Sequence, residues 1–276
     1  MMRQAVEDIK AAHNLSERRA CRLVSAHRSV MRYRFRRDPQ ERLRVEIRAI
    51  AAVRPRFGYR RVHAILVADG YRVNHKRVQR IYRLEGLQLP RRRGRKRGLG
   101  RLRDIAPATR PHQRWHMDFV SDSFSDGRRF RVLTLVDAFS RLSPGIEVAT
   151  SLPAARVLRF LERLITVHGK PEAITVDHGP EFTSRAMIFW AHSHGIKLDF
   201  IDPGRPMQNG HIESFNGKFR DECLSQTWFV DPADAAQTIE AWRLDYNTRR
   251  PHSSLGNLPP QAFIDKFQAG QLGQVA

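Results

Sequence analysis

Between residues 115 and 202 the chain runs through five short, apolar, β-prone segments whose order constrains its fold more than any other feature. WHMDFVS reads as a short strand and RRFRVLTLVDAFS as a longer one with an apolar centre. IEVAT follows the break at Pro144-Gly145 as a third. LPAARVLRFLERLITVHG then places Val157, Leu158, Leu161, Leu164 and Ile165 along one face of an amphipathic helix. AITVD is a fourth strand, FTSRAMIFWAHSHG a helix ending at Gly195, and KLDFID a fifth strand. Residues 209 to 247 read as helical, and RRPHSSLGNLPPQAF leads into a polar tail expected to fray.

Three adjacent strands, then helix, strand, helix, strand and further helices, is the order of an α/β protein with a ribonuclease-H-like mixed five-stranded sheet and flanking helices. The chain has 276 residues, 41% of them hydrophobic, enough to give more than one domain a core. Its two cysteines, Cys21 and Cys223, form neither a CxxC zinc motif nor a disulfide framework, which suits a reducing cytoplasm. No apolar run approaches the roughly 18 to 20 residues of a membrane span, and MMRQAVEDIK lacks the apolar stretch of a signal peptide.

Charge divides the chain. Residues 1–110 hold 31 Lys+Arg against 9 Asp+Glu, and the remainder holds 18 against 19, so the net +21 lies entirely in the first part. Concentrated positive charge attracts a polyanion, and nucleic acid is the usual one because each neutralised phosphate releases counterions. A merely solvated basic region is the alternative. Residues 1–36 read as short helices, SERRACRLV and RSVMRYRFR around a break at Ser25-Ala26-His27, with a weak helix-turn-helix signal. Residues 40–89 carry a stronger one, forming an all-α helix-turn-helix region ahead of the sheet. ERLRVEIRAIAAV and YRRVHAILVADG are amphipathic, and Asn74 is placed to cap HKRVQRIYRLEG. In that last helix Val78, Ile81 and Tyr82 face inward, while Lys76, Arg77, Gln79 and Arg80 are left outside to meet DNA, although most helical hairpins do not bind it. Residues 90–110 form a basic linker in which Arg91, Arg92 and Arg93 can lie along phosphates or simply remain solvated. Residues 111–265 then form the globular core, and 266–276 the tail.

Three acids stand out as candidates for phosphodiester chemistry, which commonly uses carboxylates to hold two divalent cations. Asp118 lies inside the first strand, among Trp115, Met117 and Phe119, where a charge is costly unless paired. Asp177 ends the fourth strand, at the edge where open α/β sheets place their sites. Glu213 lies beside the buried stripe Ile212, Phe215, Phe219 and Cys223. Singly, each has an ordinary explanation as an edge-strand acid, a turn-starting aspartate or a solvated helix residue.

Together, WHMDFVSD, LTLVDAFSR, VDHGPEFTS, PGRPMQNGHIESFNGKFRDECL and YNTRRPHSSLG resemble, in order and spacing, the DDE transposases of bacterial insertion sequences, whose catalytic core is similar to retroviral integrase. The resemblance covers roughly residues 45 to 265, since FGYRRVHAILVADGYRVNHKRVQRIYRLEGL looks like the helix-turn-helix ahead of that core. It implies that Asp118, Asp177 and Glu213, the last two separated by 35 residues, form a triad for two Mg²⁺ or Mn²⁺ ions. Water would free a 3′-OH at an element end, and that 3′-OH would attack a second phosphodiester without a covalent protein intermediate. Double-stranded DNA, both element ends and target, is the implied partner of a homo-oligomer. A small upstream helix-turn-helix protein, joined by frameshifting, is a further implied partner.

Asn209, Asn216, Lys218 and Arg220 surround the glutamate and are expected in part to hold the DNA backbone. Asp122, Asp137, Asp202 and Glu181 receive no ligand role, and Glu181 is expected to cap the helix beginning near Phe182. Two departures from the pattern are His178, where Asn is usual, and Ala138, where another acid is frequent. The integrase zinc module is missing, since only two cysteines exist. Arg249, Arg250 and His252 belong to a family-like motif with no role derivable from sequence. A regulator that binds DNA without catalysis, and a nuclease that does not join strands, are the competing readings.

Overall fold

The structure, a computed structural model, describes residues 2–33, 40–90, 107–202 and 206–271. The expected contacts of Arg91, Arg92 and Arg93 lie outside the described residues. The chain divides into two compact units, Met1–Glu46 and Ile47–Ala276. Helices α1 (Met2–His13), α2 (Glu17–Leu23) and α3 (Arg28–Arg32) belong to the first. The boundary falls within α4 (Glu41–Val53), so the later part of that helix shares a unit with α5 (Tyr59–Ala68), α6 (His75–Leu84) and the sheet.

The helix-turn-helix region follows the expected spacing. Asn74 accepts from the Lys76 amide at 2.8 Å and starts α6. Val78, Ile81 and Tyr82 are buried, as are Val62 and Leu66 of α5 and Ile47 and Ala51 of α4. The Tyr82 hydroxyl donates to the Phe57 carbonyl at 2.9 Å, satisfying the polar end of a buried ring.

The sheet contains β1 (Arg114–Ser123), β2 (Arg129–Asp137), β3 (Ile146–Ala149), β4 (Ala173–Val176) and β5 (Lys197–Phe200) in the order β3-β2-β1-β4-β5. β1, β2 and β3 pair antiparallel, whereas β1 with β4 and β4 with β5 pair parallel. Helix α7 (Ala154–His168) connects β3 to β4, and α8 (Arg185–Ser193) connects β4 to β5. Past β5 come α9 (Gly210–Glu222), α10 (Pro232–Thr248) and α11 (Pro260–Gln268).

Period-two alternation divides the core into two layers. On one side Trp115, Met117, Leu133, Leu135, Ile174 and Val176 pack with Phe160 and Leu161 of α7 and Met187 of α8. On the other, Val120, Phe130, Val132 and Val136 pack with Ile212, Phe215 and Phe219 of α9 and Ile239 and Tyr246 of α10. Asp118 shares the parity of Val120, so it belongs to the α9 side of the sheet rather than sitting among Trp115, Met117 and Phe119 as expected.

The carboxyl end of the chain also differs from expectation. Residues 260–268 form α11 instead of a fraying tail from 266, with Phe263 and Ile264 buried. Phe139 rests against Phe263 and Phe267, with ring centroids 5.5 and 5.0 Å apart. No helix among the described residues is long and apolar enough to cross a membrane.

Candidate active site

Strand pairing brings the first two acids together. The parallel register of β1 and β4 matches His116 with Thr175. Asp118 follows His116 by two residues and Asp177 follows Thr175 by two, just past the end of β4, and the charge of Asp177 is felt at Asp118. Asp177 begins the loop after β4, and its Oδ1 accepts the Gly179 amide at 2.9 Å, which orients the carboxylate at the sheet edge.

Helix α9 brings the third. Asn216, buried on that helix, donates from Nδ2 to Asp118 Oδ2 at 2.8 Å and accepts the Thr134 hydroxyl at Oδ1, also at 2.8 Å. Glu213 lies in the first turn of α9, three residues before Asn216 and so on a neighbouring part of the helix face. Its side chain is exposed to solvent.

Burial raises the Asp118 carboxyl above its ordinary pKa, and the negative charges of Asp177 and Glu213 push it the same way. Hydrogen bonds from the Phe119 amide, at 2.7 Å, and from Asn216 act against the rise. A carboxyl whose charge is disfavoured by burial and by like charges is one that a cation would stabilise. Among the described residues, no group of three or more His, Cys, Asp or Glu side chains is close enough to hold a metal ion.

The nearby asparagines point inward, unlike the expected contacts with the DNA backbone. Asn209, just before α9, is buried and its Oδ1 lies 2.6 Å from His116 Nδ1, fastening the helix start to β1. Asn216 is occupied by Asp118 and Thr134. Lys218 is partly buried; burial, then the nearby Arg250 and Arg61 guanidiniums, push its ammonium down to about 8. Arg220 is exposed. On α6, Lys76, Arg77 and Arg80 are exposed and Gln79 is partly buried.

The remaining acids have local partners. Asp137 is fully buried and accepts from the His112 amide and from both the amide and hydroxyl of Ser140. Asp202 exchanges two hydrogen bonds with Gln208. Asp122 accepts the Ser123 amide. Glu181 pairs with Arg131 instead of capping a helix; the cap of α8 is Ser184, whose hydroxyl accepts the Met187 amide at 3.2 Å. His178 is exposed, and its ring lies 5.3 Å from that of Phe200.

The motif without a derivable role has a structural one. Arg250, 2% exposed, donates from Nε and Nη2 to the two oxygens of Glu222, at 2.7 and 2.6 Å. Arg61 of α5 reaches the same carboxylate at 3.3 Å, and Arg54, just past the end of α4, forks onto Asp245 of α10. All three guanidiniums lie over the Phe57 ring, within 5.6 Å of its centroid. The turn between α4 and α5 is thereby tied to the ends of α9 and α10.

Residues 108–206 and 194–260 match the family descriptions of an integrase core domain, and residues 38–95 match an HTH-like domain. The insertion element IS407 uncharacterized 31.7 kDa protein of Burkholderia multivorans is 45% identical over 262 residues, covering 95% of each chain. The IS476 uncharacterized 39.2 kDa protein of Xanthomonas euvesicatoria is 42% identical over 270 residues, 98% of this chain and 78% of its own. Among solved structures, the simian T-cell lymphotropic virus intasome in complex with PP2A regulatory subunit B56 gamma aligns with a TM-score of 0.53 at 16% identity, over 73% of this chain and 69% of that one, a likeness of fold. The chain belongs to the insertion-element transposases, in which an HTH-like domain precedes an integrase core.

Proposed function

We propose that this transposase cuts and joins DNA at the ends of its insertion element through Asp118, Asp177 and Glu213. The observation that carries the reading is the hydrogen bond from Asn216 to Asp118, which holds the helix of Glu213 to the strand of Asp118. There burial raises the carboxyl, and Asp177 and Glu213 push it, to a lesser degree, the same way. Acids near a partly buried carboxylate favour a cation there, although among the described residues the three carboxylates are not already drawn into one metal-binding group.

Carboxylate oxygens are hard donors that suit Mg²⁺ or Mn²⁺, so the residues fit such ions by their chemistry. Asp118, Asp177 and Glu213 would hold them. When bound, two divalent ions activate the attacking oxygen and stabilise the leaving one. The protein's own share is alignment. Asn216 and the Phe119 amide fix both oxygens of Asp118, the Gly179 amide fixes Asp177, and the His116–Asn209 contact fixes the start of the Glu213 helix. Exposed Lys76 and Arg77 on α6, with Arg220 on α9, offer cations to the DNA backbone. The partners are double-stranded DNA, as element ends and target, further copies of this chain, and a small upstream helix-turn-helix protein.

The test uses purified protein, Mg²⁺ or Mn²⁺, and a labelled duplex carrying the element's terminal repeat. Wild type is expected to nick at the repeat and to yield joined product, whereas Asp177→Asn gives neither. Identical behaviour of the two proteins would remove the catalytic reading. Cleavage with no joined product under any condition would favour a nuclease.

A further inference from the structure

We propose that α2, the turn after it and α3 form a second helix-turn-helix that binds double-stranded DNA, separate from the HTH-like domain matched over residues 38–95. The proposal does not depend on the catalytic role of the acids.

The first unit has its own small core. Val6, Ala20 and Cys21 are buried, and Ile9, Val24, Ala26 and Met31 pack against them. Two short helices joined by a four-residue turn have the element order of a DNA-reading hairpin. Two small residues, Ala20 and Cys21, occupy the buried side of α2, where close approach of another helix needs little bulk. Four residues, Val24 to His27, make the turn. Within it Ser25 takes a φ of 51°, the left-handed conformation such a tight reversal requires. The Ala26 amide returns to the Cys21 carbonyl at 2.9 Å, and His27 accepts the Ser29 amide to start α3. Arg3 of α1 donates to the Val30 carbonyl, at 2.8 Å from Nη2, and also to that of Tyr33, tying the end of α3 to α1.

Around this tie, side chains of α3 and its two flanking residues face solvent. His27, Arg28, Ser29, Val30, Arg32 and Tyr33 are all exposed. Val30 is 46% and Tyr33 61% exposed, an apolar investment that a mere spacer does not need. Guanidiniums for phosphates, beside an aliphatic group and a ring for thymine methyls and sugars, are what a major groove accepts. Residues 2–33 hold seven Lys+Arg against three Asp+Glu. Arg28 and Arg32 share Glu17 at 3.1 Å each, but exposed pairs are weak and salt-screened, so they do not withhold these side chains from phosphate.

The experiment compares full-length wild type, Arg28→Gln/Arg32→Gln and Lys76→Gln/Arg77→Gln on a labelled duplex of the element end, over a range of salt. The first variant is expected to bind about tenfold more weakly and to reduce the slope of log affinity against log salt by about 1.8, two phosphates' worth. Affinity and slope equal to wild type in that variant, with the α6 variant weakened, would overturn the proposal and leave the HTH-like domain's role intact. A second arm guards against misfolding: Tyr33, replaced by a photoreactive phenylalanine analogue in the otherwise unaltered chain, is expected to crosslink to the duplex. Failure to crosslink would equally overturn it.

Discussion

Asn216 Nδ2 donates to Asp118 Oδ2 at 2.8 Å, so the helix bearing Glu213 is held to the strand bearing Asp118 by one amide. The same amide takes the Thr134 hydroxyl at its oxygen, which fixes its orientation. Asn216→Ala strips a partner from two buried or half-buried groups and is expected to cost about 1–3 kcal/mol in urea denaturation. Asn216→Asp retains the acceptor for Thr134 but meets Asp118 with negative charge. Both variants are expected to bind an element-end duplex as wild type does while cleaving it more slowly. An unchanged cleavage rate in both would detach Asn216 from the site.

Arg250 gives a second prediction. Its guanidinium is almost wholly buried and forks onto Glu222. Arg250→Met leaves that carboxylate, among the described residues, with the more distant Arg61 and is expected to destabilise the protein by about 3–5 kcal/mol. Arg250→Lys should recover little, since an ammonium cannot reproduce the planar fork. Urea midpoints of the three proteins decide it; a lysine variant equal to wild type would mean that charge alone matters.

His252 sets an acid sensitivity. Burial, then the charges of Arg250, Lys218, Arg61 and Arg141, push its ring down to about 2, and its Nε2 is buried with no hydrogen-bond partner among the described residues. In the unfolded chain the ring binds a proton near pH 6.5, while the folded chain keeps it neutral. Its contribution is therefore fully present above pH 6.5 and is lost as the pH falls, at up to roughly 1.4 kcal/mol per unit. His252→Phe keeps the ring against Tyr246 and is expected to flatten the stability profile between pH 6 and 4. Parallel profiles for variant and wild type would contradict this.

Gly145 is a packing constraint. A β-carbon there would stand 2.8 Å from Leu164 Cδ2 and 2.9 Å from Phe160 Cζ, both on α7. Gly145→Ala is expected to lower stability by about 1–3 kcal/mol through overpacking, with Leu164→Ala in the same chain relieving part of the loss. A thermal melt of single and double variants reads both effects.

Much of this molecule was legible as periodicity. The apolar runs of β1 to β5 and the face of α7 follow directly from spacing, and the cap at Asn74 from residue type. Proximity in sequence misplaces Asp118 where alternation does not: Trp115 and Met117 share one parity, Asp118 and Val120 the other. Asn216 could also have been found inside, since it follows Phe215 and lies four residues after Ile212. The helix at 260–268 was hidden by the Pro-Pro pair, which reads as a break but begins a helix when proline takes its first position. The tasks of Arg250 and His252 could not be read at all, because their partners come from α5, α9 and α10. Nothing local signals that.

The three guanidiniums around Phe57 bear on how such enzymes can be recombined. The α4–α6 helices are fastened to Glu222 and Asp245 at the far ends of α9 and α10, so they are no exchangeable cassette. A chimera that borrows these helices to read a different element end must also inherit matching acids and an Arg250 equivalent. On the DNA-reading role proposed for α6, new specificity belongs on its outer face, where a side chain can change without loosening the clamp.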